Sequence, residues 1–405
     1  MKFKLLGINQ LILRVIKEDG FEEPSEIQEK TIPLVLQGKD VIGGSATGSG
    51  KTLVFAAGII EHVEKGKGIQ ALILVPTREL AEQVFRAIRH FSRYKPLNIV
   101  SVYGGLSINP QIDKLRDADI VIGTPGRILD HLSRDTLKTD NVKILVLDEA
   151  DRMLDMGFID DVEKIIRNCP VKRQTLLFSA TIDADICYLA KKYLKNPVEV
   201  EAESYVDPEK LTQVYYDVPD NLKFSLLVHL LRNEKSDLVM VFCNTRTNTD
   251  FVAKNLRENK INALAVHGGF SQEKRNRTMK DFREENIQVL VCTDVAARGL
   301  DIKSVSHIYN YDTPKDAKEY IHRIGRTARA GEKGKAISIL TSRDYENFRK
   351  ILRKYENITQ EQLPHLERVW VKWFGREERS PGGRRGYQPR HEQRSQHYGS
   401  RNRRR

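Results

Sequence analysis

The chain of 405 residues carries 67 Lys+Arg against 55 Asp+Glu, a formal net charge of +12. Such a length suggests two or three domains and excludes a single small binding module, and 40% hydrophobic with 30% charged residues excludes a wholly disordered chain. The charge is uneven: 10 Arg and 3 Glu from Arg376 to Arg405 give +7 there and leave +5 for everything before, so the tail most strongly suggests an acidic partner.

In chain order, the N-terminus places Lys2 and Lys4 before an apolar stretch that Asn9, Gln10 and Arg14 interrupt, which predicts an amphipathic helix rather than a signal segment. No run approaches the ~18 apolar residues of a membrane span. From about residue 40, short apolar runs alternate with longer amphipathic segments. Ala71 to Val75, Asp119 to Ile122, Lys143 to Leu147 and Thr175 to Phe178 lack period-2 alternation, as strands buried on both faces do, and helices are expected over Arg78 to Arg93 and Asp183 to Leu194. This βαβα rhythm predicts an α/β fold with a doubly wound parallel sheet. It stops at the polar segment Glu199 to Lys210, read as the linker, and restarts with Leu238 to Phe242, Ala263 to Val266, Val289 to Cys292, Val305 to Asn310 and Ala336 to Leu340, followed by a helix over Ser342 to Tyr355. The expected division is 1–203, a linker at 204–210, a second domain at 211–357 and an extension at 358–405, disordered from about 376. The two halves share a rhythm without obvious sequence repetition. Cys169, Cys187, Cys243 and Cys292 form no C-x-x-C pair, which reads as a reduced, cytoplasmic protein without structural zinc.

Two segments carry chemistry. Val41 to Thr52 (VIGGSATGSGKT) is a strand running through a glycine-rich turn into a helix. Gly48 and Gly50 allow backbone N–H groups to approach phosphate oxygens, Lys51 can bridge the β and γ phosphates, and Thr52 can hold Mg2+. The bland alternative is a flexible turn with an incidental lysine, but G-x-G-K-T at a strand-to-helix junction is a narrow pattern. Leu145 to Arg152 (LVLDEADR) ends a buried strand in two carboxylates, where Asp148 can face the magnesium and Glu149 can orient or deprotonate a water. A plain helix N-terminus would also explain them.

With both segments present, the chain resembles the DEAD-box family of ATP-dependent RNA helicases over roughly Phe3 to Tyr355. The resemblance implies two tandem RecA-like domains joined by a short linker, with ATP and Mg2+ as cofactors and RNA as partner. Gly20 to Gln28 (GFEEPSEIQ) is similar to the family's adenine-reading motif, with Gln28 on the adenine edge and Phe21 packed on the ring. Ala46, Thr47, Gly48, Ser49, Gly50, Lys51 and Thr52 would hold the phosphates. Pro76 and Arg78 (PTREL), Gly104 and Gly105, and Thr124, Gly126 and Arg127 (TPGR) would form an RNA track, to which Ser179 and Thr181 (SAT) couple the magnesium site. In the second half Arg246, Gly268, Gln272, Arg275 and Thr293 would contact RNA, and Gly299 and Asp301 would reach the nucleotide. His322, Arg326 and Arg329, in HRIGRTARAG, complete the catalytic set. The i, i+3 spacing of Arg326 and Arg329 predicts one helix face carrying two arginine fingers. Ser45, Gly269 and Ala328 depart from the usual family residues.

The implied activity is RNA-stimulated ATP hydrolysis coupled to local duplex unwinding and RNA–protein remodelling, by a monomer with possible protein partners. An ATP-gated RNA clamp and, less favoured, a DNA helicase are the alternatives. The tail, with Tyr387 and Tyr398 among its arginines, suits sequence-tolerant RNA binding, a solubilising end being the other reading. In Val369 to Phe374 (VWVKWF), Trp370 and Trp373 are expected to anchor the segment on a domain surface rather than to stack on bases.

Overall fold

Short runs with no polar member set the architecture. Ala71–Leu74 and Ile144–Leu147 are buried along their whole length. Their successive side chains point to opposite faces of the sheet, so each strand feeds two cores. Ala71, Ile73, Ile144 and Val146 pack with Phe55 and Phe178 on one side. Leu72, Leu74, Leu145 and Leu147 pack with Ile165 and Ile186 on the other.

The computed structural model describes residues 2–44, 49–201, 211–297, 305–328, 333–355 and 357–372. The first sheet comprises β1 (Val41–Gly44), β2 (Ala71–Leu74), β3 (Ile99–Val102), β4 (Ile120–Gly123), β5 (Ile144–Leu147), β6 (Gln174–Ser179) and β7 (Val198–Glu201), all parallel, in the order β3-β4-β2-β5-β6-β1-β7. The second comprises β8 (Leu211–Asp217), β9 (Val239–Phe242), β10 (Ala263–Val266), β11 (Val289–Cys292), β12 (His307–Asn310), β13 (Gly334–Leu340) and β14 (Ile358–Gln360), again parallel, in the order β10-β11-β9-β12-β13-β8-β14. The two orders are the same permutation, so each half repeats one topology although the sequences share little. Helices cover both faces of the first sheet, and both sheets belong to one compact unit, Met1–Trp370.

Three expectations change. The polar pause at Glu199 begins inside β7, an edge strand that buries Val200 while Glu199 and Glu201 face solvent. The second sheet runs past residue 357, because Ile358–Gln360 pair with Gln213 to Tyr215 of β8. Trp370 is not a side-chain anchor: the residue is 68% exposed. The backbone holds this segment instead, with Val369 N donating to Ser225 Oγ and Asn259 Nδ2 donating to the Trp370 carbonyl. Trp373, Phe374, the linker at 204–210 and the tail from 376 lie outside the described residues. Among the described residues no helix is long and apolar enough to cross a membrane.

Candidate active site

Parallel sheets gather their ligands at the carboxyl ends of their strands, and the predicted motifs follow β1, β2, β4, β5 and β6 there. After β1 the chain enters the helix Lys51–His62 through Gly50, whose φ of +92° an L side chain avoids. A Cβ on Gly50 would lie 2.2 Å from Gln28 Nε2, so the glycine also makes room for that amide. Gln28 Oε1 accepts from Ser25 N at 3.0 Å, its Nε2 donates to the Gly50 carbonyl at 3.2 Å, and Ser25 Oγ donates to the Ser49 carbonyl at 2.7 Å. The segment singled out for reading a base is therefore clamped to the phosphate loop. Phe21 is 54% exposed beside it. Ser45, Ala46, Thr47, Gly48, Gly299, Asp301 and Arg329 lie outside the described residues.

β5 delivers Asp148 and Glu149 into buried positions. Burial pushes the Asp148 carboxyl up to about 6, against the pull of the Lys51 charge. Burial acts on Glu149 too, but Arg152, Lys51 and Arg326 outweigh it and hold that carboxyl below its usual range. Glu149 pairs with Arg152 Nη1 and has the left-handed backbone (φ 51°) that caps the helix Ala150–Asp155. Asp151 Oδ2 accepts from Thr181 N at 3.2 Å and from Thr181 Oγ1 at 3.1 Å, and Ser179 Oγ donates to the Thr181 carbonyl at 2.7 Å. The Ser-Ala-Thr turn is thus tied to the acidic segment that follows β5.

The second domain meets this segment directly. His322 Nε2 lies 3.4 Å from Asp151 Oδ2. A cavity of about 30 Å³, the size for a water or two, is lined by Glu149, Asp151, Arg152 and Ala180 from one domain and by His322 and Arg326 from the other. The helix expected to carry two arginines on one face ends at Ile324, so Arg326 enters the cavity from the turn that follows. Arg323 points inward. Fully buried, it donates Nε and Nη2 to the two oxygens of Asp294 at 2.7 Å each, Nη2 to Asn244 Oδ1 at 2.9 Å and Nη1 to Asn310 Oδ1 at 3.2 Å, tying the ends of β9, β11 and β12 together. Ala328, at the usual family glycine, has φ 52°; its buried methyl offsets part of that strain.

The predicted RNA residues form two copies of one device. Thr77 and Thr245 each cap a helix, accepting from Leu80 N and Asn248 N, and the next residue is an arginine. Arg78 lies against Gly104 and Gly105, Arg246 against Gly268. A Cβ on Gly105 (φ +83°) would sit 2.0 Å from Arg78 Nη1. Thr124 N donates to the Val102 carbonyl at the end of β3, as Thr293 N does to Val266 at the end of β10. Pro76 is buried beside Thr77, and Gly126 is exposed at the start of the helix Pro125–Ser133. Arg127 Nη2 donates to the Leu106 carbonyl at 3.1 Å, while its buried Nη1 has no hydrogen-bond partner. Gln272 and Arg275 reach across to the first domain: Arg275 Nη2 lies 2.9 Å and Gln272 Nε2 3.3 Å from Glu79 Oε1. At the third departure, Gly269 N donates to His267 Nδ1, leaving Nε2 to donate to Asp250 Oδ2 at 3.0 Å.

Sequence reasoning missed Asp151, Arg152, Glu79 and Arg323. Each lies inside a motif that was read for its neighbours, and each acts through a partner that only the fold supplies. For a divalent cation, no group of three His, Cys, Asp or Glu side chains gathers among the described residues. A buried carboxylate held up by burial and a hydroxyl on the first turn after the phosphate loop suit a cation that brings phosphate and water oxygens with it.

The family descriptions "DEAD/DEAH box helicase" and "Helicase conserved C-terminal domain" match residues 25–188 and 222–331. The ATP-dependent RNA helicase CshA of Limosilactobacillus reuteri is 43% identical over 355 residues, 87% of this chain and 71% of that one. The DEAD-box ATP-dependent RNA helicase CshA of Geobacillus kaustophilus (strain HTA426) is 44% identical over 355 residues, 87% of this chain and 76% of that one. Among solved structures, S. cerevisiae Dbp5 bound to RNA and ADP BeF3 superposes with a TM-score of 0.81 at 32% identity, covering 89% of this chain and 95% of that one. A DEAD box protein from Methanococcus jannaschii gives 0.56 at 44% identity, covering 88% and 97%.

Proposed function

The chain belongs to the DEAD-box family of ATP-dependent RNA helicases, and from that premise we propose how its own residues bind ATP and RNA and make hydrolysis depend on domain closure. It is an ATP-hydrolysing enzyme of two RecA-like domains. The observation that carries the reading is the cavity between Glu149 of one domain and Arg326 of the other.

Gln28 and Phe21 receive the adenine, and because Gln28 also holds the Gly50 carbonyl, base recognition sets the phosphate loop. Ala46 to Thr52 cradle the phosphates, with Lys51 on the β and γ oxygens, while Gly299 and Asp301 reach the ribose. Thr52 and Asp148 would hold Mg2+, which would supply neutralisation of phosphate charge. Glu149, kept anionic by Arg152, accepts a hydrogen bond from the attacking water and aims it at the terminal phosphorus. Arg326, with Arg329, neutralises charge on the transferring group, and such fingers are worth ~10³ to 10⁵ in rate. His322 joins Asp151 to the second domain and, through Thr181 and Ser179, links the carboxylates to the rest of the first. Because water-orienting and charge-neutralising groups sit on different domains, the open molecule is nearly inactive.

RNA lies across both domains on the paired devices, Arg78 with Gly104, Gly105, Pro76, Thr124, Gly126 and Arg127 on one side and Arg246, Gly268 and Thr293 on the other, with Gln272 and Arg275 at the seam. Contacts to phosphates and 2′-hydroxyls give low sequence specificity and a preference for RNA over DNA. A strand gripped at two points and bent by closure loses its partner, which accounts for local unwinding. We place the protein in the cytoplasm as a monomer that meets other proteins on its RNA. The domain limits that fit this reading are 1–203 and 211–357 with β14 added.

The test is steady-state ATP hydrolysis with no nucleic acid, with single-stranded RNA and with matched single-stranded DNA, Glu149→Gln serving as control. Stimulation by RNA alone is expected. Equal stimulation by DNA would overturn the RNA assignment, and strand displacement separates the helicase from a clamp that only hydrolyses.

A further inference from the structure

Lys318 lies outside every motif used above, yet it makes the most direct domain-to-domain ion pairs near the ATP site. It sits on the first turn of the helix Ala317–Ile324, and its Nζ is 2.9 Å from Asp155 Oδ1 and 2.9 Å from Asp183 Oδ2. Both carboxylates belong to the first domain. Asp155 ends the helix that Glu149 caps. Asp183 caps the helix Ala184–Tyr193, accepting from Ile186 N at 3.0 Å through Oδ1, which leaves Oδ2 for the ammonium. One lysine therefore clips together the segment after the catalytic carboxylates and the segment after the Ser-Ala-Thr turn. One helical turn later His322 faces Asp151. Just beyond the helix end, Arg326 enters the cavity.

We propose that Lys318 is a positioning residue, a two-carboxylate clip that seats the arginine-bearing segment on the first domain and sets how much RNA and nucleotide closure requires. The inference rests on the reading that closure gates hydrolysis. The Lys318 ammonium is taken up by Asp155 and Asp183, and none of these three residues lines the cavity that holds Glu149 and Arg326. Its side chain is 20% exposed, which shields the pairs partly from solvent and leaves them partly open to salt. Every other cross-domain contact described above engages either a residue assigned to catalysis (His322, Arg326) or one assigned to RNA (Gln272, Arg275). Lys318 can therefore tune closure without altering a ligand-binding group.

The experiment follows closure by energy transfer between fluorophores at Lys67→Cys and Glu258→Cys, both exposed, in a Cys187→Ser background. RNA is titrated at saturating Mg·ADP·BeF3, and ATPase rates are measured in parallel. Lys318→Met keeps the aliphatic length and removes the charge. The RNA concentration at half-closure is expected to rise roughly tenfold, the difference corresponding to one decade in the closing equilibrium. The RNA-stimulated kcat at saturation is expected to stay within about twofold of wild type, because the closed state is then reached by mass action. The salt dependence of half-closure should flatten. Lys318→Arg should restore the wild-type midpoint, and Lys318→Met combined with Asp155→Asn should be little worse than Lys318→Met alone, a non-additivity that a simple loss of stability would not give. A Lys318→Met midpoint equal to wild type, in a protein whose hydrolysis RNA stimulates, overturns the inference and leaves the functional reading standing. A wild type that never closes removes both.

Discussion

Glu149 and Arg152, both almost wholly buried and one helical turn apart, form an ion pair at the wall of the interdomain cavity. Burial drives the Glu149 carboxyl toward its neutral form, and Arg152 with Lys51 and Arg326 reverses this. An anion so stabilised is a good hydrogen-bond acceptor and a weak base, so Glu149 is suited to aiming a water more than to removing its proton early. Arg326 comes from the other domain, so closure itself deepens this stabilisation.

Glu149→Gln keeps the shape and the hydrogen-bond reach and removes the charge. Nucleotide and RNA binding should stay near wild type while single-turnover hydrolysis drops by about 10² to 10⁴. Normal turnover in this variant would remove Glu149 from the mechanism.

Asp148 gives a pH signature. Its folded-state carboxyl sits at about 6, above the ordinary 3.8, so the folded protein binds this proton more tightly than the unfolded chain does. A raised carboxyl penalises folding above about pH 6, and the penalty fades between 6 and 4. In chelator and without nucleotide, Asp148→Asn should therefore be more stable than wild type at pH 8, by up to about 3 kcal/mol. The two proteins should converge near pH 4. Thermal melts across that range decide it; a gap that does not narrow on acidification would show that burial of the charge is not the cause.

Gly105 and Gly104 offer a paired test of the RNA face. A methyl on Gly105 would meet Arg78 Nη1 at 2.0 Å on a φ of +83°, whereas one on Gly104 would meet Nη2 at 3.7 Å, an ordinary contact. The guanidinium can swing away, so the fold survives and the arginine leaves its place. Gly105→Ala should weaken RNA binding roughly tenfold, at a backbone strain of about 1 to 2 kcal/mol, with nucleotide affinity unchanged. Gly104→Ala should stay within about twofold. Equal losses in both variants would detach Arg78 from the effect.

The central strands were legible because β2, β5, β9 and β11 are buried on both faces and read as unbroken apolar runs. Of the edge strands, β10 was read as the run Ala263 to Val266, but the other three were not. β3 alternates half-buried and buried residues, β7 buries only Val200, and β14 buries only Ile358, so their sequences look like loops. At the site, residues that act through their own type and local turn were readable: Gly50, Lys51, Asp148 and Glu149. Residues that act through a distant partner were not. Lys318 meets Asp155 and Asp183 from 163 and 135 positions away, and nothing near it in sequence marks it. The helix face proposed for Arg326 and Arg329 failed for a local reason: Gly325 caps the helix, and spacing alone does not reveal that the turn begins there.

Glu79 and Arg275 join the two domains beside Arg78. Resemblance assigns Arg275 to RNA, yet its Nη2 lies 2.9 Å from Glu79 Oε1 on the opposite domain, with the two side chains only 14–16% exposed. If the arginine serves mainly to join the domains, Glu79→Ala and Arg275→Ala should each raise the RNA concentration needed for half-maximal ATPase, and the double variant should be little worse than either alone. A coupling of about 0.5 to 3 kcal/mol is expected for contacting residues. The salt slope of RNA binding should scarcely change in Arg275→Ala, since no phosphate contact is lost. Additive effects, with a slope reduced by about one, would return Arg275 to the RNA. Glu79 sits next to Arg78, so the same pair explains how the domains can sense RNA: a strand seated on Arg78 fixes the start of the helix Arg78–Phe91, and that fixes the carboxylate the second domain must find.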